Sequence, residues 1–134
     1  MKSTIQNKIN ELNQAIAKVE DIIFTNLVSW DSVQHWQIGE TKKINKSLNT
    51  LIYKEANIMI FETIIPPKTI FPMHWHNFKE QCFIISGVYT DNGKTYSKDE
   101  WVKYDVFVPH EIINNNKNDL RLIVIFTYKP EKLT

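Results

Sequence analysis

Residues 71–87 read Phe71-Pro-Met-His74-Trp-His76-Asn-Phe-Lys-Glu80-Gln-Cys82-Phe-Ile-Ile-Ser-Gly87. On a strand, successive side chains point to opposite faces, so His74 and His76 project the same way. Two imidazoles at neighbouring same-face positions can share one metal ion. Glu80 has the same parity and supplies a hard oxygen ligand once the chain has turned. A fourth ligand has to come from another strand. His110 is the candidate, because His35 stands far upstream in a segment with no clear pattern.

Short β-type runs surround this stretch. The pattern predicts strands over Leu51–Tyr53, Ile58–Ile65, Gln81–Ile85, Val88–Thr90, Thr95–Tyr96, Val106–Val108, Glu111–Ile113 and Leu120–Tyr128. Pro66 and Pro67 break the second run. Ser86-Gly87, Asp91-Asn92-Gly93, Ser97-Lys98-Asp99 and Asn114 to Asn118 supply turn chemistry between later ones. Strands this short and this regularly spaced argue for an antiparallel sandwich or barrel.

Upstream the period changes. Ile5, Ile9, Leu12, Ile16, Val19 and Ile23 are spaced four, three, four, three, four, the a/d seam of a heptad pattern, and Ser3 with Gln6 fits a capping box. The seam predicts a helix over residues 3–24 that packs on its own domain or touches a partner subunit. Trp30, Val33 and Trp36 suit a helical turn or a loop that covers a core. Lys42, Lys43, Asn45, Lys46 and Asn49 read as a solvated stretch. The expected organisation is a helical extension over residues 1–50 packing on a barrel of residues 51–134. The apolar seam and the edge strands of such a barrel lead to the expectation of a homodimer.

Composition removes several function classes. Sixteen basic residues stand against fifteen acidic ones, and Arg121 is the only arginine. Neither nucleic acid nor an anionic membrane has an electrostatic claim on such a chain. A single cysteine, Cys82, excludes an internal disulfide framework and a cysteine-based zinc knuckle. No apolar run is long enough to span a bilayer as a helix, and Gln6, Asn7 and Lys8 interrupt any signal-type apolar core, so the expected location is cytoplasmic.

The motif residues resemble the cupin superfamily. Its first motif has two histidines separated by one residue, then three residues, a glutamate, six residues and a glycine. His74, His76, Glu80 and Gly87 fit without a gap. Its second motif has a histidine followed after three residues by an asparagine, as His110 and Asn114 do. The resemblance, over about residues 57–128, implies an all-β double-stranded β-helix, the cupin jelly-roll barrel. It also implies that His74, His76, Glu80 and His110 bind one metal ion. The chain departs from the family at three glycines: Lys68 stands six residues before His74, and no glycine lies between Gly93 and the C-terminus.

Three imidazoles and one carboxylate suit a borderline divalent transition metal ion: Fe, Mn, Ni, Cu or Zn. The resemblance implies a metal-dependent protein acting on a small oxygen-rich organic molecule, with a dioxygenase-type oxidoreductase as the leading class. An isomerase or lyase, and a non-catalytic binding or sensing module, remain open; a site kept for stability alone is the third reading. The pocket is expected to be mostly apolar, lined by residues of the ligands' own parity such as Phe78, Cys82 and Ile84. Cys82 reads as a small buried hydrophobe, Asn114 as a turn residue, Trp75 as packing away from the ligands, and Trp101 and Tyr104 as aromatic core or mouth.

Overall fold

A computed structural model describes residues 27–130 of the chain. Two β-sheets pack face to face. One is six-stranded: β2 (Thr41–Ile44), β3 (Ser47–Glu55), β4 (Ile58–Ile65), β11 (Leu120–Thr127), β6 (Lys79–Ser86) and β9 (Trp101–Tyr104), in that spatial order. The other is five-stranded: β1 (Leu27–Val28), β5 (Thr69–His76), β10 (His110–Asn114), β7 (Tyr89–Asp91) and β8 (Lys94–Tyr96). All neighbours are antiparallel except β1 with β5. This is the expected jelly roll.

Alternation builds the core. On β4, Met59, Phe61, Thr63 and Ile65 turn inward and are buried. On β11 the inward set is Leu120, Leu122 and Val124, and on β6 it is Glu80, Cys82 and Ile84. Each large apolar side chain so buried contributes about 1.5–3 kcal/mol. Two glutamate-to-glycine features of the first motif thereby acquire a structural basis: Glu80 rides on the inner face of β6, and Gly87 ends that strand.

The barrel begins before residue 51, so the boundary expected there falls inside β3. The cause is a hairpin that the lysine-rich composition conceals. Asn45 and Lys46 take φ values of 46° and 70°, the two-residue turn that joins twisted strands most readily, and β2 pairs with β3 across it. Asn45 also donates a side-chain hydrogen bond to the carbonyl of Ile70, which ties this hairpin to β5. Ahead of it, α1 (Trp30–Val33) is capped by the Ser29 side chain, and Trp30, Val33 and Trp36 are all buried. Trp30 stacks on Tyr128 and meets Phe78 edge-on, while Trp36 meets Phe61. Residues 27–50 are thus part of the barrel and its core. The helix expected over residues 3–24 lies outside the described residues. Among the described residues, no helix is long and apolar enough to cross a membrane.

Val106–Val108 is a turn rather than the expected strand. Val108 N–H donates to the Asp105 carbonyl at 3.3 Å, and all three side chains are exposed. The strand is instead β9, where Val102 and Tyr104 face inward and Trp101 and Lys103 outward.

Candidate metal centre

The first two histidines owe their direction to an irregularity. Along β10 and β5, His110 faces His74, but Ile112 faces Phe71, so β5 carries one extra residue at Pro72-Met73. Proline lacks the N–H that a regular ladder would use, and a bulge accommodates it. The extra residue reverses parity, so Phe71 upstream and His74 and His76 downstream all turn towards the interior. Phe71 stands 5.4 Å from His74, centroid to centroid. Glu80 reaches in from β6 of the opposite sheet, and His110 opens β10.

The structure brings His74, His76, Glu80 and His110 together. All four are buried, and one ligand atom from each can be chosen so that all lie within 4.8 Å of one another. Metal–nitrogen bonds of about 2.1 Å hold donors about 3–4 Å apart, so the group needs little adjustment to close on one ion. Each imidazole is held from behind. Nδ1 of His74 lies 2.8 Å from the Pro72 carbonyl, that of His76 2.8 Å from the Phe78 carbonyl, and that of His110 2.9 Å from the Val108 carbonyl. A carbonyl only accepts, so each Nδ1 carries the proton and each Nε2 presents a lone pair, the tautomer a metal ligand needs.

Electrostatics supports the same reading. Nε2 of His110 is 3.2 Å from Glu80 Oε2, and Nε2 of His76 is 3.7 Å from Oε1, yet neither nitrogen has a hydrogen-bond partner within the described structure. Two lone-pair atoms facing each other in a buried site call for a cation between them, either a proton or a metal ion. Burial opposes charge on His110, but the Glu80 carboxylate outweighs it and raises the imidazole's pKa. Burial likewise opposes charge on Glu80, and His110 and His76 outweigh it and hold the carboxyl well below its usual range. His74 is pushed down to about 4 by burial, with the proximity of His110 adding to it. At neutral pH Glu80 is therefore a carboxylate and His74 is neutral, and three imidazoles with one carboxylate are a donor set that fits a divalent transition metal ion.

The surrounding residues hold the ligands in place. The His76 ring stacks on Phe78 at 4.2 Å, and the His110 ring stacks on Tyr104 at 4.0 Å. The Tyr104 hydroxyl donates to Asp91 Oδ2 at 2.6 Å and lies 2.9 Å from the Tyr89 hydroxyl, so Tyr104 is core that also braces a histidine. Burial, and then Glu80, push the Cys82 thiol well up, and it stays protonated 3.6 Å from Glu80 Oε2. That agrees with a small buried hydrophobe. Asn114 is buried but remote from the ligand set: its amide donates to the carbonyls of Ile65 at 2.9 Å and Asn118 at 3.0 Å and closes a turn. Trp75 pairs with Leu27 in the β5–β1 register, away from the ligands.

A cavity of about 70 Å³ runs between the sheets, and His74, His76 and Glu80 line it. Its walls are apolar, as expected, but they are not the expected residues. Phe78, Cys82 and Ile84 are packed in the core, and the walls come from Phe61, Phe71, Ile112, Leu122, Val124 and Phe126. Of the inward residues of β6 only Glu80 reaches the cavity, which β4, β11 and the bulged part of β5 enclose. Asn49, expected in a solvated stretch, is instead buried on the inner face of β3 and lines the cavity, and so does Thr63, which had no counterpart in the sequence reading. The inward parity of Met59, Phe61 and Ile65 is the signal that finds Thr63.

No family model and no curated protein sequence matches the chain. Solved structures do match its fold. A chain of the complex of SigE with the anti-sigma ChrR from Rhodobacter sphaeroides superposes with a TM-score of 0.60 at 12% identity, covering 65% of this chain and 49% of that one. This chain therefore spans about half the length of that match. An RmlC-like cupin from Shewanella frigidimarina superposes with a TM-score of 0.60 at 15% identity, over 72% of this chain and 93% of that one. The fold is a cupin fold. The polyketide cyclase RemF from Streptomyces resistomycificus also shares it, with a TM-score of 0.58 at 13% identity over 69% and 70% of the two chains.

Lys68, which stands six residues before His74, and two residues of the glycine-free stretch after Gly93 turn as a glycine would. Lys68 takes φ 58°, Asp99 φ 71° and Phe107 φ 60°, all in the left-handed region that glycine favours. The Phe107 N–H donates to the His76 carbonyl at 2.8 Å, which fixes the corner three residues before His110. That corner places His110 opposite His74 despite its unusual sequence.

Proposed function

We propose that this cupin holds one divalent transition metal ion through His74, His76, Glu80 and His110 and acts on a small organic molecule in the adjoining cavity. The reading rests above all on one observation: three of the four candidate ligands line that cavity. A site kept for stability alone would be enclosed on all sides. The bound ion would supply Lewis acidity, and with iron or copper also redox chemistry. The chain's own residues do the rest. The carbonyls behind the imidazoles fix the tautomers, Phe78 and Tyr104 hold the ring planes, and the apolar walls exclude water and favour a compact, partly aromatic molecule.

Dioxygenase-type oxidation is the enzyme reading we favour. Besides the three ligands, no cavity-lining side chain is titratable in the ordinary pH range. An isomerase or lyase moves protons and needs a positioned base or acid, which these walls lack. A dioxygenase places both atoms of dioxygen in the substrate, which supplies the electrons itself, so it needs neither a separate base nor an external reductant. The same apolar walls also suit a binding or sensing module, the second reading. RemF is named as a polyketide cyclase and ChrR as an anti-sigma, and neither likeness goes beyond fold.

Metal analysis of untagged protein tests the centre. One ion per chain is expected, and His76→Ala should lose it, because removing one of four ligands leaves a hydrated ion of much lower affinity. Full occupancy in that variant would overturn the assignment. Dioxygen uptake by the iron form with diketones or catechols then separates oxygenase from binding module: perturbed metal spectra without uptake select the module.

A further inference from the structure

At the far end of the cavity from the candidate ligands, two polar side chains interrupt the apolar wall. Asn49 on β3 stands directly opposite Thr63 on β4. They are 8% and 4% exposed, and both line the cavity. Thr63 Oγ1 donates to Asn49 Oδ1 at 3.0 Å, and Asn49 Nδ2 donates to the Ser47 carbonyl at 3.3 Å. These bonds use one of the two amide hydrogens and the hydroxyl hydrogen. The second amide hydrogen and the lone pairs of Oγ1 are the donor and acceptor that the pair can offer. Ser47, two residues earlier on the same face, carries a hydroxyl that is fully buried and has no partner within the described structure.

We infer that Asn49 and Thr63 are specificity-determining residues: they select a neutral ligand with a single hydroxyl or carbonyl group opposite its metal-binding oxygen atoms. The inference rests on the metal-centred reading above. Phe61 and Ile65 flank Thr63 on the same face, so an apolar side chain would suit the fold there. Polar groups buried with bonding capacity unused are costly in the empty protein, a cost that a ligand group can offset. Neither Lys nor Arg lines the cavity, which disfavours a carboxylate or phosphate at this end, and a sugar would leave most hydroxyls without partners. The spacing gives the ligand's length. Phe126 pairs with Glu80 on one side and Met59 on the other, and Thr63 lies four residues beyond Met59 along β4. That is about 13 Å of strand. A chelating head, one flat ring and a terminal hydroxyl match that length, and the cavity of about 70 Å³ has to widen to admit them.

The test uses the full chain loaded with cobalt, its visible bands reporting occupancy by two probes: 1-phenylbutane-1,3-dione and its 4-hydroxyphenyl analogue. The heads are identical, so only the far end differs. The hydroxylated compound is expected to bind roughly tenfold more tightly, the worth of one good hydrogen bond. In Thr63→Val, a change of nearly constant volume, and in Asn49→Leu, the preference should vanish while cobalt stoichiometry holds. Equal binding of both probes by the unaltered protein, or a preference that survives both substitutions, overturns the inference and leaves the metal centre standing. If cobalt does not bind in one-to-one stoichiometry, the metal-centred reading fails and the inference falls with it; cobalt bound with bands that neither probe shifts overturns the inference alone.

Discussion

Two corners bound the strands that carry Glu80 and His110, and they solve one backbone problem with opposite residues. Gly87 ends β6, the strand of Glu80, at φ 92°. Phe107 lies in the turn before β10, the strand of His110, at φ 60°. A left-handed conformation costs an L-residue about 1–2 kcal/mol at either corner. Surroundings make the difference. A Cβ on Gly87 would lie 2.7 Å from the Asp119 carbonyl oxygen and 2.9 Å from the Leu120 Cα, inside backbone that cannot swing away. The Phe107 side chain is 58% exposed, and its N–H is secured by the His76 carbonyl. Positive φ alone can be tolerated; positive φ with a close backbone approach requires glycine. The cupin glycine pattern therefore persists in this chain at a position where another backbone crowds the Cβ.

The largest expected effect is at the crowded corner. Gly87→Ala should lose about 3 kcal/mol or more, because strain adds to a clash that must displace the start of β11. Urea unfolding at fixed temperature measures it. A loss below about 1 kcal/mol would mean that the Asp119 segment yields easily, and the comparison between the corners would collapse.

At the open corner the sign should reverse. Phe107→Gly removes about 1–2 kcal/mol of strain and gives back about 0.4–1 kcal/mol through the greater freedom of glycine in the unfolded chain. A net gain of up to about 1 kcal/mol is expected in the same urea experiment. A loss of similar size would show that the Phe107 ring is held by something other than solvent.

The two corners also mark what could be read from sequence. His74, His76 and Glu80 were legible because strand parity and a short turn are local properties. His110 was legible through its spacing to Asn114, although it meets the others only by long-range pairing of β10 with β5. The Phe107 turn was not legible. Val106, Phe107 and Val108 have strand-forming side chains, and nothing local reveals that the chain turns there to reach the His76 carbonyl. The bulge at Pro72-Met73 was hidden for a similar reason: it is defined by the partner strand, and it alone brings Phe71 into the cavity. Asn45 and Lys46 concealed a hairpin because Lys46 is an uncommon second turn residue. With that hairpin went the start of β3, and hence Asn49.

The smallest effects should come at two further positive-φ positions, Asp99 and Lys68, and they sharpen the comparison by removing sterics from it. Asp99 adopts φ 71°, but aspartate is among the residues that tolerate this region best. Its N–H donates to the Ile84 carbonyl at 2.9 Å, a backbone bond that glycine keeps. Asp99→Gly should therefore change stability by less than about 0.5 kcal/mol, strain relief and unfolded-chain entropy nearly cancelling. Lys68 has no such tolerance, and it reaches the Asn115 carbonyl only through an exposed bond of 3.3 Å. Lys68→Gly should gain slightly more than Asp99→Gly and less than Phe107→Gly, whose aromatic side chain suits the region least. The order Phe107, Lys68, Asp99 ranks the side chains by intolerance of positive φ where nothing crowds them. If Asp99→Gly instead gave the largest gain, backbone strain would not be what separates these corners from Gly87, and the role assigned to the Asp119 contact would have to carry the whole difference.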